Sequence, residues 1–593
     1  RINGLDGPYT QILLDSRPIF SALSGVYGIE QIPASMIERV EVMRGGGSAL
    51  FGSSAIAGTI NIITKEPMRN SGMLSHTITG IGDGDVFDNS TALNASLVTD
   101  DQRAGLYIFG QNRHRSAYDH DGDGYSEIPK LHGQTIGFRS FLKTTTYSKL
   151  TFEYHHMEEF RRGGDLLNRP PHEANVAEQT EHSINGGGLK FDYFSPNENH
   201  RFNVFASAQH INRDSYYGPG DRDPLDAYGN TTDLNWMAGS QYVYSFGKCI
   251  FMPSDLTAGI EFNQDKLEDN MWGYNRTVDQ KVNIGSAFLQ NEWKNDHWGF
   301  LIGGRLDKHN LINHVIFSPR ANLRYNPTEN INLRFSYSSG FRAPQAFDED
   351  LHVENVGGNV AMVELADNLK EERSQSLSAS ADIYHRFGAF QVNFLVEGFY
   401  TKLSDVFALT DGEVVDGILT RTRHNASGAQ VLGLTLEGKM AYLNKIQVQA
   451  GVTLQQSHYS KPHIWNKEAP AVKKMMRTPN TYGYFTATYT PIKPLSIALS
   501  GTYTGSMLVP HEPVPGFLEN PITVNTKDFF DIGLKAAYDF KLYKSMNLQL
   551  NAGIQNIFNA YQDDFDKGAD RDSGYIYGPS LPRSFFAGVK ISY

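Results

Sequence analysis

Apolar and polar residues alternate with a period of two along most of this chain, and few folds accept that pattern repeated so often. Ile446, Val448, Ala450, Val452 and Leu454 fall on one face of a strand, with Gln447, Gln449, Gly451 and Thr453 on the other. Met546, Leu548, Leu550, Ala552 and Ile554 alternate likewise with Asn547, Gln549, Asn551, Gly553 and Gln555. A two-residue period sends successive side chains to opposite sides of a sheet. The second set is amide, hydroxyl and glycine rather than mainly charged, which suits a wet lumen, while the apolar set suits lipid. One strand of a soluble β-sandwich would look the same. The number and spacing of strands separate the two.

The connections alternate short and long. Short turns are predicted near residues 100–103, 144–147, 195–200, 246–254, 293–297, 326–330, 386–389, 442–445, 491–494 and 539–545. The long loops include 113–133, 157–181, 340–374, 403–429 and 556–584. Roughly ten turns and eleven loops predict an all-β membrane protein, a 22-stranded antiparallel transmembrane β-barrel, an even number as single-chain outer-membrane barrels have. Short turns belong on the periplasmic side and long loops outside. Phe585, Ala587, Val589, Ile591 and Tyr593 carry the alternation to a terminal aromatic.

Composition removes the competing classes. The hydrophobic fraction is 40% and the mean hydropathy −0.40, and no stretch approaches the ~20 apolar residues of a spanning helix. The 30 Tyr and 35 Phe are what aromatic girdles at a lipid interface require. A net charge of −12 argues against a nucleic-acid partner. One cysteine, Cys249, excludes a disulfide framework and a Cys-rich metal site. At 593 residues a soluble chain would need several domains, yet no Pro/Ser-rich linker, charge block or low-complexity tract divides it. The sequence opens at Arg1 inside what reads as a folded domain, so export signals and a flexible N-terminal segment are expected upstream.

Barrels this wide are plugged in their lumen. Residues 1–67 read as that plug, or its later part, ahead of a barrel over 72–593. Plug strands are predicted near 11–15, 37–42 and 59–63, with a glycine-rich turn and a short helical stretch within 45–58. Arg39, Glu41 and Arg44 place charges on a domain inside a polar lumen, where hydrated ion pairs would hold it and still permit movement. Gly45, Gly46 and Gly47 permit backbone geometry closed to other residues.

The segment from Ile37, IERVEVMRGGGSALFGSSAIAGTINIIT, resembles the plug signature of TonB-dependent receptors. The opening RINGLDGPYTQILLD resembles the plug strand and turn before it. Phe341-Arg342-Ala343-Pro344, with Asp367-Asn368-Leu369-Lys370 downstream, resembles paired barrel motifs of that family, and Asn556-Ile557-Phe558-Asn559 its closing strands. The resemblance covers essentially the whole chain. It implies multi-pass insertion in outer-membrane lipid and active import of a small molecule, driven through a periplasmic TonB-type energy-coupling protein. The box that binds that protein is not in the sequence, so coupling rests on the family alone. The pattern is most like cobalamin receptors of Bacteroidetes-type bacteria, which implies a corrinoid such as vitamin B12 and a surface lipoprotein over the long loops. Haem is the runner-up and a ferric siderophore the third reading.

Asp119, Asp121, Asp123, Tyr125 and Glu127 put oxygen ligands at alternate positions with glycines between, a pattern suited to calcium. The spacing follows an EF-hand loop to its ninth position, but the twelfth would be Lys130, which lacks the bidentate carboxylate. The loop is therefore not an EF-hand, and strand parity puts it second among the outer loops. The alternative reading is an acidic hydrophilic loop, which also describes Asp563, Asp564, Asp566, Asp570 and Asp572. His352 lies where haem receptors of the family carry a ligand, but residues 1–67 hold no histidine to complete the pair. Tyr27, Tyr216, Tyr217, Trp272 and Trp465 are candidates to contact a bulky ligand, with interface girdles as the other reading. No Ser/His/Asp order, phosphate loop or zinc spacing stands out, so an enzyme is not expected. A plug likewise argues against a passive porin.

Overall fold

The computed structural model describes all residues except Arg1, Asn3, Gly4, Asp6, 19–31, Ser54, 220–227, 347–350, His352, Gly357 and Gly358. Twenty-two antiparallel strands close into a barrel, from Ser71–Ile81 to Ser584–Ser592, and these two pair with each other (Phe585 opposite Gly80, Ile591 opposite Leu74). Closure leaves no unpaired strand edge, the condition for strands to cross lipid. The alternation works as the sequence implies. Leu454 is 48% exposed toward lipid, while its neighbours Thr453 and Gln455 are buried on the lumen side. At the short-turn end Trp298 stacks on Tyr325 at 4.3 Å and Phe251 on Trp293 at 5.6 Å, forming part of an aromatic girdle.

All ten predicted short turns join consecutive barrel strands. The long loops are shorter than predicted, because several strands run on past the membrane. Ser126–Thr145 spans 20 residues, or ~66 Å at ~3.3 Å per residue, against an apolar band of ~25 Å. The predicted loop 113–133 thus shrinks to 116–125. Two of the other predicted long loops, 340–374 and 403–429, carry strands of their own. Asn359–Leu365 pairs in parallel with Ile418–Asn425, and Glu354–Val356 and Phe407–Val415 flank them in a small outer sheet.

Residues ahead of the barrel form a separate four-stranded sheet in the order Arg17–Pro18, Thr10–Leu14, Gly58–Thr64, Ile37–Arg44. The predicted helical stretch is one turn, Ser48–Phe51. Gly45, with φ +78°, turns the chain out of Ile37–Arg44 where an L side chain would be strained. Gly58 has no room for a side chain: a Cβ there would lie 2.5 Å from the Met43 carbonyl oxygen. Gly58→Ala is therefore expected to destabilise the plug by about 1–3 kcal/mol, read as a lower urea midpoint for protease protection of residues 1–67.

Candidate functional site

The plug sheet touches strands around the ring, which sets it inside the lumen. Tyr9 donates to Glu372 (2.9 Å), and Arg305 donates to the Leu50 carbonyl (3.0 Å). The Phe341 and Ala343 amides donate to the Ser48 and Ser53 hydroxyls, which ties the one-turn helix to the Phe341–Pro344 motif. Ion pairs close the rest. Arg44 reaches Glu397 (3.1 Å) and Glu437 on neighbouring strands. Arg17 pairs with Glu153, Asp15 with Arg139, and Glu66 with Lys149 (3.0 Å). Arg17 lies over Gly188, where any side chain on the wall would run into its guanidinium. Of the predicted plug charges only Arg44 serves this interface. Arg39 and Glu41 sit on the exposed edge strand and pair with each other at 2.8 Å, 60% and 49% exposed, a geometry worth at most ~1 kcal/mol.

At the outer end a cavity of about 290 Å³ lies between the tops of Ser148–Gly164 and Val176–Phe194 and the last loop, 556–583. Tyr125, Tyr217, Phe565, Tyr575 and Ile576 supply its apolar wall. Its polar lining is Glu127, Glu178, Asp566 and Asp572 with Arg161 and Arg571. Arg571 joins the second outer loop to the last one, donating to Asp123 (2.5 Å) and Glu127 (3.1 Å) while its guanidinium lies 4.7 Å over the Tyr125 ring. The Gly568 amide adds a 2.7 Å bond to Asp123, and His120 packs edge-on against Tyr561 at 4.9 Å. Burial pushes the Asp123 carboxyl up, but the Gly568 and Tyr125 amides and the Arg571 guanidinium outweigh it and hold it below the usual carboxylate range. Behind Tyr575, His511 stacks on the ring at 3.7 Å and lies 3.0 Å from both oxygens of Asp566. The acidic run of the last loop is thus structural wiring, with Asp564 accepting from Tyr575 and Tyr577.

Comparison with known proteins agrees with this geometry. Residues 72–557 match the family "TonB dependent receptor-like, beta-barrel", and residues 1–59 match "TonB-dependent Receptor Plug Domain". The chain belongs to the TonB-dependent receptor family. It is 26% identical over 383 residues to the iron-regulated outer membrane virulence protein of Vibrio cholerae, covering 60% of this chain and 54% of that one. It is 23% identical over 361 residues to the vitamin B12 transporter BtuB of Vibrio vulnificus, covering 58% and 54%. The matches span about half the length of these relatives. The siderophore receptor PirA of Acinetobacter baumannii shares the fold, with a TM-score of 0.79 at 17% identity over 100% of this chain and 92% of that one. This is a family of outer-membrane receptors, not of enzymes.

In this receptor the predicted ligand-contacting aromatics do not converge among the described residues. Tyr217 lines the cavity. Tyr216, one residue earlier, points the other way and is sealed against Tyr228, Ala174 and Ala177. Trp465 is buried, and Trp272 is 65% exposed on a one-turn segment away from the cavity lining. Tyr27 and His352 lie outside the described residues. Of the five predicted cation ligands, Asp119, Asp121 and Glu127 bring one oxygen each within 4.8 Å of one another. Asp123 is drawn away by Arg571, and the Tyr125 ring is covered by the same guanidinium. Sequence reasoning missed Arg571 and Tyr575, because nothing local distinguishes them within an acidic loop.

Proposed function

We propose that this receptor imports a corrinoid such as vitamin B12 across the outer membrane, driven by a periplasmic TonB-type energy-coupling protein acting on the plug. The observation that carries the reading is a lumen blocked by an ion-paired plug beneath an aromatic-walled outer cavity. Such a plug denies passive flux, so net transport needs work done on it. Similarity to vitamin B12 transporters supports the corrinoid. The cavity is at the low end of the ~300–1,000 Å³ of small-molecule pockets, so a corrinoid would seat one face there while the outer loops part around the rest. Haem is disfavoured because the cavity lining holds no imidazole among its described residues, and haem iron needs an axial ligand. The test is titration of the purified receptor with cyanocobalamin, hemin and a ferric siderophore. Saturable cyanocobalamin binding is expected. Hemin binding lost in His352→Ala, with no cyanocobalamin binding, would overturn the substrate and leave the family intact.

Two partners belong to the same reading. A surface lipoprotein would cap the outer loops, with Val414 and Val415 (51% and 62% exposed) on the outer-sheet edge strand as contact residues. Calcium would sit among Asp119, Asp121 and Glu127, taking the place of the Lys567 ammonium 3.5 Å from Asp121 Oδ2 and sharing Glu127 with Arg571; hard oxygen donors suit the ion. Asp121→Asn is expected to weaken calcium binding at least about tenfold by calorimetry, the loss of one charged ligand being worth ~1.4 kcal/mol or more. Wild-type protein that takes up no calcium would dispose of the site.

A further inference from the structure

The outer cavity has a definite electrostatic sign. Four carboxylates line it, Glu127, Glu178, Asp566 and Asp572, against two cations, Arg161 and Arg571. Both cations are engaged. Arg161 bonds Glu159 at 2.6 Å, and Arg571 bonds Asp123 and Glu127. Pairing cancels field on both members alike, Glu127 included, so the sign rests on the net count: four lining carboxylates with Asp123 and Glu159 behind them, against two guanidiniums. The surrounding rim extends the same sign. The second loop carries Asp119 and Asp121, with Lys567 of the last loop 3.5 Å from Asp121, and the outer segment after Pro344 carries Glu364, Asp367 and Glu371 against Lys370. The loop 464–480 is net basic, with Lys467, Lys473, Lys474 and Arg477 against Glu468, but none of these lines the cavity. Arg477 is also occupied, donating to the carbonyls of Gly574 and Ile576.

We infer that this cavity selects a metal chelate carrying no net negative charge and rejects polyanionic ferric chelates, trianionic tris-catecholates above all. A cleft of one sign between low-dielectric walls focuses its field, enriching ligands of the opposite sign and depleting those of the same sign. Like charges brought together across a binding surface also cost affinity directly. The aromatic wall of Tyr217, Phe565 and Tyr575 supplies attraction that does not depend on charge. A neutral or cationic chelate meets both conditions.

The inference rests on the transport reading for where substrate lands, and its test separates the two. The purified receptor is titrated with one corrinoid shape at three charges: aquocobalamin (cation), cyanocobalamin (neutral) and a cyanocobalamin monocarboxylate (anion). A second series pairs a trianionic ferric tris-catecholate with a cationic ferric trihydroxamate. Within whichever series binds, the anionic member is expected to bind roughly tenfold more weakly at low ionic strength. The gap should close as salt shortens the screening length below ~8 Å. Glu178→Gln, a change at an exposed position of the lining, should narrow the gap without abolishing binding. Corrinoids that fail to bind while the cationic trihydroxamate outcompetes the catecholate would overturn the corrinoid reading and support charge selection. Corrinoids that bind equally at all three charges, or a catecholate that binds tightest, would overturn charge selection. Absence of binding by every probe would overturn both.

Discussion

Arg44→Ala is expected to loosen the plug from the wall by about 2 kcal/mol, below the ~3–5 kcal/mol of a fully buried pair. Arg44 is 29% exposed, so solvent already screens part of its interaction. Its partners are less forgiving. Glu397 and Glu437 are 12% and 8% exposed on adjacent strands, and without the guanidinium two carboxylates face each other across a poorly hydrated gap. Arg44→Lys should restore only part of the loss, because one ammonium cannot match the fork that reaches both acids. The check is urea-dependent protease susceptibility of residues 1–67 in the intact receptor. A midpoint unchanged from wild type would mean that water, not Arg44, neutralises the wall.

Arg571→Ala should have the largest effect on ligand binding, weakening it about tenfold or more, since truncating one partner of a buried hydrogen-bonded charge pair costs ~2–5 kcal/mol. The substitution leaves Asp123 and Glu127 (11% and 2% exposed) without their shared cation and frees the Tyr125 face. The second and last outer loops should then separate, seen as faster amide exchange at Gly568 and Tyr125. The pH dependence has a fixed sign. The Asp123 carboxyl is held below its ordinary value in the folded protein, so its stabilisation is fully present above the unfolded value of ~3.9. It is lost as pH falls through the folded value. Arg571→Ala should weaken that acid loosening without abolishing it, because the Tyr125 amide still holds the Asp123 carboxylate. Retained affinity together with wild-type exchange would show that the loops are held by His120 and its aromatic neighbours instead.

The barrel was legible in the sequence because its rule is local. Each strand declares its lipid face every second residue, and each short turn breaks the pattern with polar residues, so all ten turns fell where predicted. Strand ends were less legible: alternation continues above the membrane, and a loop such as 113–133 hid the start of Ser126–Thr145. The plug sheet was readable from three apolar runs, and the edge strand Arg17–Pro18 was too short to register. The outer carboxylate cluster was legible only where its members sit close in sequence. Asp119, Asp121 and Glu127 could be grouped from their spacing, whereas Arg571 lies 448 residues from the Asp123 it neutralises. The described aromatics do not share one site for a related reason. Tyr216 and Tyr217 are adjacent, strand geometry sends them to opposite sides, and nothing in the sequence says which one faces the cavity.

Single-channel recording in a planar lipid bilayer tests the central claim, that this barrel is closed by its own N-terminal domain. The intact receptor is expected to insert without adding steady conductance, and deletion of residues 1–67 to produce large, long-lived openings. A steady ohmic conductance through the intact receptor, equal to that of the deletion, would contradict a plugged lumen.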